Sequence, residues 1–116
     1  MENAAILVLL GIGAYYYLNY KTGKPTYRDV NGNEITSITC GNSITFDVPG
    51  HQHVWLSQLK NGQLNFDGPY DLPMPAYVLN CGTDVGVYDV AVYAIDSNGV
   101  KGELLGQTQF TVVGQT

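Results

Sequence analysis

The sequence predicts an all-β antiparallel sandwich preceded by a single N-terminal transmembrane helix. Residues 4–18 are apolar, and nothing ionisable at neutral pH stands between Glu2 and Lys21. From residue 26 onward the chain changes to short alternating runs punctuated by Gly, Asn, Asp and Pro. Fourteen Gly and nine Tyr in 116 residues suit strands joined by tight turns. The expected division is a helix over 1–20, a linker over 21–25 ended by Gly23 and Pro25, and a sandwich over 26–116.

A helix over the first twenty residues would be roughly 30 Å long, the thickness of a bilayer's hydrocarbon core. Ile6, Leu7, Val8, Leu9, Leu10, Ile12 and Leu18 supply the apolar body of this anchor. Tyr15, Tyr16, Tyr17 and Tyr20 form an interfacial belt, followed by Lys21 and Lys24. The start Met1-Glu2-Asn3 lacks a basic n-region, so the segment reads as a retained anchor and not as a signal peptide. No polar face appears at helical period, which argues against a buried helix of a soluble domain. Gly11, Gly13 and Ala14 would let a neighbouring helix approach closely. Lys21, Lys24 and Arg28 are three of the five basic residues, and this bias turns that end toward the cytoplasm.

The remaining strands follow in order. Runs at 26–30 and 34–40 flank Asn31-Gly32-Asn33, a hairpin signal, because Asn-Gly accepts positive φ. In 43–48, Ile44, Phe46 and Val48 share one face. Residues 53–60 carry the only tryptophan, Trp55, and stop at Asn61-Gly62. A short strand at 63–66 runs into Asp67-Gly68-Pro69, which opens an irregular Pro-rich stretch. Short runs at 76–79 and 87–95 come next, the second closed by Asp96-Ser97-Asn98-Gly99. Residues 102–113 finish the domain, with Leu104, Phe110 and Val112 as core candidates. Seven or eight strands at this spacing predict two packed sheets.

The segment Thr83-Asp84-Val85-Gly86-Val87-Tyr88-Asp89-Val90 resembles the Asp-x-Gly-x-Tyr-x-Cys signature that opens strand F of immunoglobulin-like domains. The resemblance covers about residues 43–113 and implies a tyrosine corner, with the Tyr88 hydroxyl bonded back to backbone near Asp84. It also implies a core of Phe46, Trp55, Tyr88 and Val90. Val90 stands where antibody domains place a cysteine, so their central inter-sheet disulfide is missing. On that topology Cys40 and Cys81 fall at the same end of the sandwich. A bridge between them would close a loop of about 40 residues and contribute about 3 to 4 kcal/mol. A reducing cytoplasm argues against it, and the sequence leaves the pairing open.

Chemistry is sparse. His51 and His53 would face the same way on a strand, but no third or fourth metal ligand accompanies them, so they read as loop residues. Asp29, Asn31 and Asn33 imitate the start of a calcium loop without its later Glu, and a hairpin turn explains them better. No nucleophile has a base and an orienting group beside it. The expectation is a non-enzyme with no cofactor and no metal. The net charge of −5, with most bases beside the anchor, argues against nucleic acid as a partner.

The layout of a short uncleaved span, a tyrosine cluster and one β-domain resembles minor membrane proteins of tailless icosahedral phages with an internal lipid membrane. The resemblance implies a single-pass structural protein of the virion, assembled at the host cytoplasmic membrane. It implies a domain between membrane and capsid, with the bilayer and capsid or other assembly proteins as partners. The competing expectation is a pilin-like or adhesive subunit whose domain faces outward; Glu2 near the N-terminus fits it, and the lack of a basic leader does not.

Overall fold

A computed structural model describes residues 24–115. The expected anchor residues Ile6 to Leu18, the tyrosines at 15, 16, 17 and 20, and Lys21 lie outside the described residues. Among the described residues no helix is long and apolar enough to cross a membrane.

Among the described residues nine strands make two sheets: β1 (Thr26–Arg28), β2 (Glu34–Ile35), β3 (Ser37–Thr39), β4 (Ser43–Asp47), β5 (His53–Lys60), β6 (Gln63–Asp71), β7 (Met74–Val78), β8 (Gly86–Ile95) and β9 (Lys101–Val113). The smaller sheet has the order β2-β1-β4-β7, and the larger has the order β3-β9-β8-β5-β6. All pairs are antiparallel except β3–β9, where Ser37, Ile38 and Thr39 run parallel to Thr111, Val112 and Val113.

Period-two alternation decides what faces inward. Ile44 and Phe46 of β4, Val54 and Leu56 of β5, Val90 and Val92 of β8, and Phe110 and Val112 of β9 are all buried. Tyr27 of β1 stacks on Phe110 of the opposite sheet, with centroids 4.1 Å apart and planes 13° from parallel. It also meets Phe46 at 4.7 Å. This trio joins the sheets face to face, and burying each large apolar side chain stabilises the fold by about 1.5 to 3 kcal/mol.

Turn chemistry sets the hairpins. The Asp29 carboxylate accepts from the amides of Asn31 at 2.9 Å and Asn33 at 3.0 Å, while Gly32 takes φ +82°. Asp96 does the same between β8 and β9, accepting from Asn98 at 2.8 Å and Val100 at 2.9 Å.

Four expectations need correction. Trp55 is not core: Val54 and Leu56 take the inward positions of β5, so the residue between them faces out, where its indole N–H donates to Asp67 at 2.8 Å. Leu104 is likewise on the surface, 49% exposed, because β9 is irregular opposite Tyr93 and Leu105 packs on the core. The strand expected at 63–66 continues to Asp71 through Gly68 and Pro69. An edge strand tolerates a proline, and β6 is an edge. The run at 34–40 splits at Thr36, so β2 pairs with β1 while β3 crosses to β9, which brings the strands to nine.

Candidate functional site

Both β6 and β7 are sheet edges, and they are consecutive in the chain, joined at the cis Leu72–Pro73 peptide. Between them the two sheets stand open over a groove of about 250 Å³. Its floor is the aromatic core, with the buried Tyr27, Phe46 and Phe110 lining it from below. Its rim carries Tyr70 from β6, Met74 and Tyr77 from β7, Asp84 from the turn before β8, and Tyr88 from β8 itself.

Asp84 organises that rim. Its carboxylate Oδ2 accepts the Tyr77 hydroxyl at 2.9 Å and the Asn80 amide at 2.6 Å. Its carbonyl accepts the Tyr88 hydroxyl at 2.7 Å. Three residues on β7, the turn and β8 therefore meet at one residue, two at its carboxylate and one at its carbonyl. Asn80 in turn accepts the amides of Gly82 at 2.6 Å and Thr83 at 3.2 Å. The hydrogen bond to Asp84 and that residue's negative charge raise the Tyr77 hydroxyl above its usual pKa. Burial, with a smaller contribution from the Asp84 charge, does the same to Tyr88, and burial raises Tyr70.

On the opposite wall Asn65 donates to Gln58 Oε1 at 2.6 Å, which leaves the Gln58 amide N–H groups facing the Tyr27 hydroxyl. Gly86 explains the small residue in the sequence motif. Its φ is +156°, and a Cβ there would lie 3.0 Å from the Asn61 amide and 3.2 Å from Lys60 Cε. Asn61 needs that closeness, because its Oδ1 accepts the Val87 amide at 2.9 Å.

The disulfide joins Cys40, fully buried ahead of β4, to Cys81 in the turn before β8, with Cα atoms 5.1 Å apart. It ties the β3–β4 turn to the one that carries Asp84. Backbone bonds run alongside it: Gly41 donates to the Leu79 carbonyl at 2.8 Å, and Leu79 to that of Asn42 at 3.0 Å.

Of the expected fold residues, Phe46 and Val90 are 3% and 2% exposed, while Tyr88 is half-buried on the groove rim. Lys24 is exposed at the start of the described chain. His53 opens β5 and pairs with the Asp71 carboxylate at 2.6 Å on an exposed edge. Among the described residues no group of three or more His, Cys, Asp or Glu is placed to hold a metal ion. The groove itself went unread in the sequence, since its rim draws on residues far apart in the chain. The Tyr70-to-Tyr77 spacing across a Pro-rich stretch was the one available signal.

No family model, no curated protein and no solved structure matches this chain.

Proposed function

We propose that this chain is a membrane-held, non-enzymatic structural protein, a minor virion component that tethers an internal viral membrane to the capsid shell. The observation that carries the reading is the layout: an apolar run over 4–18, a tyrosine belt, the basic cluster Lys21, Lys24 and Arg28, then one small disulfide-closed β-domain. That order holds a compact domain a short linker away from a bilayer. The domain is strongly acidic: among residues 24–115 four bases, Lys24, Arg28, Lys60 and Lys101, stand against nine acids. Such a surface suits a basic patch on a capsid protein and repels nucleic acid.

The domain is an immunoglobulin-like sandwich on this reading. Support comes from the strand order, from the parallel edge pair β3–β9, and from the bond of Tyr88 to the Asp84 carbonyl. Sandwiches of that kind bind through loops and edges while the core stays fixed.

Protease accessibility on intact particles tests the tether. The domain should survive until the shell is removed and then be cut. Digestion from outside an intact shell would sink the proposal. One observation favours the outward-facing, pilin-like or adhesive alternative: the Cys40–Cys81 bridge, since disulfides accumulate in oxidising compartments. A tether meets that condition only after lysis, so its bridge should be reduced in freshly assembled particles inside cells.

A further inference from the structure

The groove between β6 and β7 has a chemical bias that bears on its occupant. Three of its side-chain donors are already engaged within the protein. The Tyr77 and Tyr88 hydroxyls both donate to Asp84, and the Asn65 amide donates to Gln58. Beside the Tyr70 hydroxyl and the Gln58 amide, the mouth offers acceptor capacity: the second carboxylate oxygen of Asp84, the lone pairs of the Tyr77 and Tyr88 phenolic oxygens, and the Asn65 side-chain carbonyl. Around these stand the rings of Tyr70, Tyr77 and Tyr88 and the thioether of Met74. Among the described residues Asp84 is the only charged side chain lining the groove. Acceptors, aromatic faces and one carboxylate select a ligand that donates hydrogen bonds and carries positive charge.

Rings on this domain already hold cations. The Lys101 ammonium lies 4.4 Å from the Tyr93 centroid on the far sheet face. Lys60 sits 5.8 Å from the Tyr88 centroid, bonded to the Thr83 carbonyl, and does not itself line the groove. Its charge opposes a second cation, so an occupant must gain from Asp84 and the rings together. The excess of nine acids over four bases draws basic surfaces toward this domain at long range.

The geometry points to the β6–β7 groove as a pocket for a cationic side chain, an arginine or lysine presented by a partner protein, seated among Tyr70, Tyr77 and Tyr88 with Asp84 as its counter-ion. This rests on the tether reading for the identity of the partner, and on the groove alone for the chemistry.

The test uses the full chain in detergent micelles and two blocked pentapeptides, Gly-Ser-Arg-Ser-Gly and its twin with uncharged citrulline in place of arginine. Affinities are read by NMR titration of the tyrosine ring resonances. The arginine peptide should bind about tenfold more tightly than the citrulline twin and shift Tyr70 and Tyr77. Asp84→Asn keeps an acceptor for the Asn80 amide and the Tyr77 hydroxyl but removes the charge, and should cost about tenfold. Tyr70→Leu, outside the hydrogen-bond network, should weaken binding severalfold with the fold intact. Equal affinity for the two peptides would overturn the assignment. So would wild-type binding by both variants, or shifts confined to residues around Asp67, Asp71 and Asp89. A negative result here leaves the protease experiment on particles untouched, and a domain digested from outside would leave the groove's preference standing.

Discussion

The Tyr88 hydroxyl donates to the Asp84 carbonyl at 2.7 Å, four residues back along the chain. The bond fixes the turn into β8, and the Asp84 side chain extends that fixation to Tyr77 on the other sheet. Removing the hydroxyl with Tyr88→Phe keeps the ring against the core and leaves the carbonyl partly unsatisfied. The expected cost is about 1 kcal/mol, a fall in Tm of roughly 4 to 8 °C for a domain of this size. Thermal unfolding followed by circular dichroism checks it; an unchanged Tm would mean the turn holds without the bond.

Legibility in the sequence tracked local physics. Alternation in 43–48 and the Asp29-to-Asn33 turn could be read because strand period and Asx turns are properties of a few neighbouring residues. The motif around Tyr88 carried its own geometry for the same reason. Trp55 misled, since its size suggests burial while the parity of Val54 and Leu56 assigns it to the outer face. The groove was invisible because it is made by an omission in the smaller sheet, where among the described residues β7 is the last strand and none continues toward β6. No local pattern encodes a missing neighbour.

That difference in parity has a measurable consequence. Phe110 is 1% exposed and stacked on Tyr27, so Phe110→Ala should cost about 3 to 5 kcal/mol and leave a marginal domain. Trp55→Ala loses one indole hydrogen bond and outer-face contact, and should cost about 1 kcal/mol. Urea denaturation of the two variants gives the order directly. A Trp55 variant as unstable as the Phe110 one would contradict the outward orientation.

The disulfide closes a loop with a sequence separation of 41 residues. Replacing both cysteines by alanine should cost about 4 kcal/mol by loop-closure entropy, less whatever structure the unfolded chain retains. The loss should concentrate in the turns it joins, so hydrogen exchange would quicken at Gly41, Leu79 and Asp84 more than at Val92 in the centre of the larger sheet. Uniform quickening across both sheets would show that the bridge acts on global stability alone.

Alkaline pH provides the last prediction. Burial raises the Tyr27 hydroxyl well above the ordinary tyrosine value near 10, because its phenolate would lie beneath the groove among apolar residues. In the unfolded chain the same group ionises near pH 10. The folded pKa is the higher of the two, so the stabilisation is fully present below pH 10 and is lost as pH rises past it. Tyr70, Tyr77 and Tyr88 are shifted in the same direction and add to the effect. The chain should therefore hold a constant urea midpoint from neutral pH to about pH 10 and then weaken steeply. Tyr27→Phe removes the largest contribution, so its decline above pH 10 should be shallower than that of the wild type, even if it is less stable at neutral pH. Parallel declines in the two proteins would show that the Tyr27 hydroxyl ionises as freely in the fold as in the unfolded chain.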